Sequence, residues 1–162
     1  MSTRFTGASP IRAVITGGAG FIGSHLVERL LQDGHQVIAI DNFSCGRVEN
    51  LAGVQDHPRL TIQRADVADN SEIEPLFVEM DWVFHLAGLA DIVPSINEPL
   101  KYHRANVDGT VSVLEAAKTA GVKRFVYASS SSCYGIPDQL PTPETDPIRA
   151  MYPYALTKNL GE

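Results

Sequence analysis

Apolar positions fall along this chain in short blocks that alternate with helical spacings. Residues 11–16, Ile-Arg-Ala-Val-Ile-Thr, predict a buried strand opening onto a glycine-rich turn. Leu26, Val27, Leu30 and Leu31 then recur at helical spacing, and Gly34 stops that helix. Residues 36–40 form a second apolar run ending at Asp41; Val48 to Gly53 predict a shorter helix and residues 59–63 a third strand. Asn70 or Ser71 is placed to cap a helix running through Glu79, and residues 81–86, Asp-Trp-Val-Phe-His-Leu, predict a fourth strand. Pro99 suits the first turn of a long helix; Val107, Val111, Leu114 and Ala117 give it an apolar stripe, and Gly121 closes it. Residues 124–128 predict a fifth strand, 136–147 a Pro-rich loop, and a last helix starts near Tyr154. Strands alternating with helices in this way predict an α/β domain, a parallel sheet with helices on both faces. Right-handed crossovers favour the doubly wound order 3-2-1-4-5.

Composition removes several function classes. A chain of 162 residues with 44% apolar and 20% charged positions fits one globular domain and excludes a disordered or collagen-like chain. The net charge of −6, with no run of Lys or Arg, denies it the basic footprint of a nucleic-acid partner. No apolar stretch approaches the roughly 18 residues of a membrane span. Met1 to Pro10 lacks the apolar core of a signal peptide and reads as a flexible tail, leaving 11–162 as the folded domain. Cys45 and Cys133 form neither a disulfide framework nor a zinc pattern, and read as free thiols in a reducing cytoplasm. His25, His35, His57, His85 and His103 show no ligand spacing, so no metal is expected; His85, ending a strand, reads as a satisfied core histidine.

Candidate chemistry gathers in two places. Thr16-Gly17-Gly18-Ala19-Gly20-Phe21-Ile22-Gly23 joins the first strand to the first helix. There Gly17 is free to take a positive φ, Gly20 lets a pyrophosphate approach where a Cβ would collide, and Gly23 lets the helix pack close to the sheet. The N–H groups at the helix start, carrying about half a positive charge, then face the phosphates. A Gly-rich turn without a ligand is the plainer alternative. Asp41 weighs against it, because it stands where a carboxylate meets the adenosine ribose hydroxyls. That carboxylate repels the 2′-phosphate of NADP and favours NAD; Arg47 keeps NADP open. Asp66-Val67, after the third strand, offers an acceptor and a cover for adenine, or else a turn or capping Asp.

Tyr154 and Lys158, four apart, share one helix face. A free tyrosine, with a pKa near 10, is a poor base, but a nearby lysine cation favours the phenolate. Such a tyrosine can take a proton from a sugar hydroxyl. The spacing alone is commonplace on helix surfaces; its place after the fifth strand, at the carboxyl edge of the sheet, points to chemistry. Ser129, Ser130, Ser131 and Ser132 aim hydroxyls at the same crevice, or make a polar turn. Cys133, with no histidine near it in sequence, reads as packing.

Together these residues resemble the NAD-dependent epimerase/dehydratase family of extended short-chain dehydrogenase/reductases, over Ile11 to Glu162. The resemblance rests on the Thr16–Gly23 turn, Asp41-Asn42-Phe43-Ser44, His85-Leu86-Ala87-Gly88, the serine run with Tyr134-Gly135, and Tyr154-x-x-x-Lys158. It implies a Rossmann-type fold in which Phe21 and Ile22 offer backbone N–H groups to the pyrophosphate. Asp41 and Asn42 would hold the adenosine ribose, with Ser44, Cys45 and Gly46 beside them, and Asp66 and Val67 would meet adenine. Leu86, Ala87 and Gly88 would line the cofactor, and Asn106 would stiffen the site from the long helix. Lys158 would bind the nicotinamide ribose, with Tyr154 as base and Ser130 as its hydroxyl partner. Leu89, Ala90, Ser130, Ser131 and Ser132 would face the substrate.

The serines also bear on the reaction. Dehydratases of the family, such as the dTDP-glucose enzymes, place an Asp-Glu pair after the first serine, and GDP-mannose dehydratases and UDP-glucuronate decarboxylases keep a Glu there. Here Ser131 and Ser132 stand instead, as in 4-epimerases of UDP-N-acetylhexosamines and UDP-glucuronate. Ala90 departs from some UDP-galactose 4-epimerases, which carry lysine. The implied reaction is C4 inversion of a UDP-sugar. Tyr154 takes the hydroxyl proton as hydride passes to NAD, the 4-keto sugar turns over, and hydride returns to its other face. Family members are longer and usually dimeric. The resemblance therefore implies the N-terminal part of a homodimeric enzyme, without its C-terminal substrate domain and inactive alone. Dehydratase, decarboxylase or reductase activity, or a bare dinucleotide-binding module, remain alternatives.

Overall fold

Strands β1 (Arg12–Thr16), β2 (Gln36–Asp41), β3 (Leu60–Arg64), β4 (Trp82–His85) and β5 (Arg124–Tyr127) form one parallel sheet in the order β3-β2-β1-β4-β5, as the sequence pattern predicts. The computed structural model describes residues 9–162, so most of the expected 1–10 tail lies outside the described residues. β1 sits at the centre and is the most deeply buried strand: Ala13, Val14 and Ile15 are fully buried. Its side chains alternate between two cores. Ala13 and Ile15 pack with Val37, Ala39 and the helix residues Val27, Leu30 and Leu31 on one face. On the other, Val14 packs with Ile40, Val83, Phe77, Val113 and Ala116.

α1 (Phe21–Gln32) crosses from β1 to β2 and ends where Gly34 takes φ +93° and donates to the Leu31 carbonyl. The 48–53 helix shrinks to one 3₁₀ turn, Val48–Leu51. The helix expected through Glu79 is corrected: α2 (Asn70–Ile73) is a single turn followed by a 3₁₀ turn, Glu74–Phe77. Pro75 has no N–H for the α ladder and forces that tightening. Its N-cap is Asp69, which accepts from the Ser71 N–H, not Asn70 or Ser71.

Between β4 and β5 run α3 (Ile92–Asn97), which the sequence reading missed, then α4 (Pro99–His103), a π turn (Arg104–Asp108) and α5 (Gly109–Thr119). The expected stripe is also corrected. Val111 and Leu114 are 61% and 43% exposed, while Thr110, Val113, Ala116 and Ala117 face the sheet. The small residues set this choice. Gly109 stands where a Cβ would come within 3.0 Å of Val67, so α5 approaches the sheet on its Gly and Ala face. After β5, Ser131–Tyr134 form a 3₁₀ turn, 136–147 have no regular structure, and α6 (Pro153–Leu160) starts with its proline in the first turn.

Candidate functional site

The carboxyl ends of β1, β2, β3 and β4 open onto one cleft. Gly17 turns the chain at φ +69°, and a Cβ there would stand 2.8 Å from the Ala87 amide nitrogen. A Cβ on Gly23 would be driven into the Gly17 carbonyl oxygen. Gly18, to which the sequence reading gave no role, faces Ala39 so closely that a Cβ would lie 2.7 Å away. The turn is fastened to β2 by Gly17 N–H and Gly18 N–H, both donating to the Ile40 carbonyl (2.8 and 3.2 Å).

Asp41 is the second fastening. Its carboxylate is buried and accepts from the Ala19 N–H (2.9 Å) in the turn and the Phe43 N–H (2.8 Å) beyond it. Phe43 is held at φ +60°, unusual for a non-glycine residue, and marks a locally strained turn at the rim. Asn42 accepts from the Ser44 N–H (2.9 Å). Gly46 passes directly over Asp41: a Cβ there would lie 2.7 Å from the carboxylate.

The cleft wall gathers Gly17, Gly20, Asp41, Asn42, Ser44, Cys45, Gly46, Asp66, Val67, Leu86, Ala87, Gly88 and Leu89. Phe21 and Ile22, exposed at 79% and 65%, stand at the start of α1, which has neither a capping side chain nor an acidic residue in its first turn. That helix start is therefore free to face an anion. Glycine walls, a buried carboxylate and a bare helix start fit an adenine dinucleotide. Asp66 accepts from the Ala68 N–H (3.0 Å) and lies 3.6 Å from exposed Arg104.

The second group comes from α6 and the segment after β5. Lys158 is buried, and its Nζ sits 4.3 Å from the Tyr127 ring centre. A Cβ on Gly88 would lie 4.0 Å from the Lys158 Nζ, so the ammonium reaches the cleft wall. Burial pushes the Lys158 ammonium down to about 8. Tyr154, half-buried one turn earlier, is tied through its carbonyl to the Thr157 hydroxyl (2.9 Å). Ser130 caps the 3₁₀ turn by accepting from the Ser132 N–H (3.2 Å), which leaves its own proton available. Ser131 is exposed and Ser132 half-buried. Cys133 is buried with its thiol on the Ala155 carbonyl (3.6 Å), and burial pushes that thiol up, as suits packing.

Asn106, buried in the π turn, clamps the cleft wall: it accepts from the Leu89 N–H (2.7 Å) and donates to the Leu89 carbonyl (3.0 Å). Ala90 follows, its carbonyl bonded by the Tyr102 hydroxyl. The sequence reading missed Tyr102, Tyr127, Thr16, Thr110 and Thr157. Their only sequence signal is a polar residue at a position periodicity marks as buried. Among the described residues no group of His, Cys, Asp or Glu could hold a metal, and no helix is long and apolar enough to cross a membrane.

The profile of the NAD dependent epimerase/dehydratase family matches residues 13–162. The UDP-glucose 4-epimerase of Mycolicibacterium smegmatis is 41% identical over 155 residues, covering 94% of this chain and 49% of its own length. The UDP-glucuronic acid decarboxylase 1 of Arabidopsis thaliana is 44% identical over 139 residues, covering 86% of this chain and 31% of its own. A UDP-glucose-4-epimerase structure from Stenotrophomonas maltophila, with bound NAD and formylated UDP-arabinopyranose, superposes with a TM-score of 0.86 at 34% identity, over 93% of this chain and 46% of that one. The chain thus spans about half, or less, of the relatives it matches.

Proposed function

The chain belongs to the NAD-dependent epimerase/dehydratase family, and from that premise we propose that it is the NAD-binding part of an enzyme that inverts C4 of a UDP-sugar. The observation that carries the reading is the glycine turn, closed against Ala87 and fastened by Asp41 beside a bare helix start. NAD, when bound, supplies a reversible acceptor for hydride from the sugar carbon. Phe21 and Ile22 bind its pyrophosphate through their N–H groups. Asp41 spends two acceptor sites on Ala19 and Phe43 and keeps others for ribose hydroxyls. A 2′-phosphate there would meet a buried carboxylate, which favours NAD over NADP. Lys158 brings positive charge to the cleft wall beside Gly88. Tyr154 takes the C4 hydroxyl proton, with Ser130 as its hydroxyl partner.

Ser131 and Ser132 carry the finer reading. Neither supplies the additional acid and base needed to eliminate water. A C4 oxidation followed by decarboxylation stands beside it, supported by the 44% identity to the Arabidopsis decarboxylase. The partner we assign is a second copy of the chain, supported by exposed Leu100, Val111 and Leu114 on α4 and α5 and Leu156 and Leu160 on α6. Cytoplasmic residence is supported by two free thiols, Cys45 and Cys133.

Native mass spectrometry of the 17.6 kDa chain tests the cofactor half. A population carrying one NAD is expected; a bare chain with NAD in excess overturns it. In the complete enzyme, UDP-glucose and UDP-glucuronate are offered in turn. C4 epimers are expected, loss of CO₂ would select the decarboxylase, and Tyr154→Phe should abolish either turnover.

A further inference from the structure

Behind the cleft wall runs a buried polar chain that the proposed reaction does not use. His85 is fully buried, yet both ring nitrogens are engaged: Nδ1 lies 2.7 Å from Thr16 Oγ1 and Nε2 lies 3.0 Å from Thr110 Oγ1. Counting protons gives the chain a direction. The Thr110 hydroxyl donates to the Asn106 carbonyl at 2.5 Å, so toward His85 it acts only as acceptor, and Nε2 carries the hydrogen. Nδ1 is then bare and accepts the Thr16 hydroxyl proton. Thr16 Oγ1 in turn accepts from the Ala87 N–H at 3.2 Å. Each donor meets one acceptor, from Ala87 through Thr16, His85 and Thr110 to Asn106.

The opposite tautomer breaks this order. With hydrogen on Nδ1, the bare Nε2 would require the Thr110 proton and the Asn106 carbonyl would lose it. The groups facing the ring also matter. Tyr127 stacks on it at 5.7 Å, Phe125 lies at 6.1 Å, and Lys158 is the nearby cation. Burial first, and the Lys158 charge second, push the imidazole down to about 3, so it stays neutral through the physiological range.

Both ends of the chain reach the same short wall. Ala87 is held by Thr16; Leu89 is held by the Asn106 side chain at both N–H and carbonyl. Asn106 also donates to Thr157 (3.0 Å), whose hydroxyl holds the Tyr154 carbonyl. We propose that His85, as the Nε2–H tautomer, is a positioning residue that keeps the 87–89 cofactor wall and the Tyr154–Lys158 helix in one frame. The functional part of this proposal rests on the NAD reading of the cleft.

The test has two arms. In ¹⁵N-labelled chain, the ring-nitrogen shifts of His85 should report a protonated Nε2 and a bare Nδ1 from about pH 5 to 8, a range in which free histidine, with its ordinary pKa near 6.5, titrates. A protonated Nδ1, or titration in that range, overturns the assignment. The second arm compares Thr110→Val with Thr110→Ser by calorimetric titration with NAD. Valine keeps the shape and loses the hydroxyl; serine keeps the hydroxyl and loses a methyl. NAD binding should weaken about tenfold in the valine variant and stay within about twofold in the serine variant. A role in packing alone predicts the reverse order; the reverse order, or equal effects, overturns the positioning role. If the unaltered chain binds no NAD, the cofactor reading falls, and the ring-nitrogen shifts alone judge the relay.

Discussion

β1 and β2 are joined by one unbroken helix, α1, whereas β4 and β5 are joined by α3, α4, a π turn and α5. The first crossover shapes its part of the cleft with backbone: glycines, a helix start, and the amides that Asp41 collects. The second uses side chains: Asn106 clamps Leu89, and through Thr157 it reaches the helix of Tyr154 and Lys158. Backbone shapes follow from sterics and tolerate little change. A side-chain network needs each polar group satisfied, so it spreads its tolerance unevenly.

Gly23→Ala should break the first half most severely. The added methyl meets the Gly17 carbonyl and the Gly18 Cα, backbone atoms that no rotamer can move aside, and destabilisation of about 3 kcal/mol with loss of NAD binding is expected. Urea unfolding and calorimetry would measure both. Lys158→Met should do the opposite in the second half, stabilising the fold by about 2 kcal/mol at pH 7 while removing activity from the complete enzyme. The sign follows from the buried ammonium's fall to about 8. The charged form is penalised in the folded state below that pH. The penalty fades as pH rises from about 8 toward 10.4, where the unfolded lysine also loses its proton. The advantage of the methionine variant should vanish over that window in denaturation curves; an advantage constant with pH would contradict the assignment.

Smaller effects sharpen the contrast. Thr157→Val removes a hydroxyl that links Asn106 to the Tyr154 carbonyl, and a loss of about 1 kcal/mol is expected by chemical denaturation. Leu114→Glu, on the outward face of α5, should change monomer stability by no more than about 0.5 kcal/mol. In the complete protein it should still weaken the proposed pairing of two copies in sedimentation; pairing that is unchanged would overturn this face as the interface.

The same division separates what could be read in the sequence from what could not. The five strands, their order, and the Gly34 stop follow from apolar period and the conformational freedom of glycine. Gly17 and Asp41 were legible for a similar reason, since a turn and the end of the next strand are near neighbours in a βαβ unit. The second crossover defeated the same rules. Reading Val107, Val111, Leu114 and Ala117 as one inward stripe assumed that the largest apolar residues face the sheet. Ala117 does face the sheet, but Gly109 and Ala116 share that face in place of Val111 and Leu114, because closeness of approach outweighs side-chain size. Pro75 stands in plain sight in the sequence, but apolar spacing alone does not convey that its missing N–H tightens the segment after Ile73 into a 3₁₀ turn. The partners of His85 were out of reach of any local pattern, with Thr16 lying 69 residues away and Thr110 lying 25.

The π turn at Arg104–Asp108 has a consequence for how this gene can change. A π turn holds one residue more than the same stretch of α-helix. Deleting a single codon within it would leave an uninterrupted helix from Pro99 onward, locally a better one. The flanking turns would keep their faces, because the residue lost is the surplus one, but the widened stretch that carries Asn106 to the cleft wall would close up. Asn106 and Thr110 could then no longer face their partners together. Mutational drift toward the simpler helix is therefore a path downhill in local energy that ends in a chain without its clamp, and reading-frame-preserving deletions should be far less tolerated here than point substitutions on the same helix's outer face.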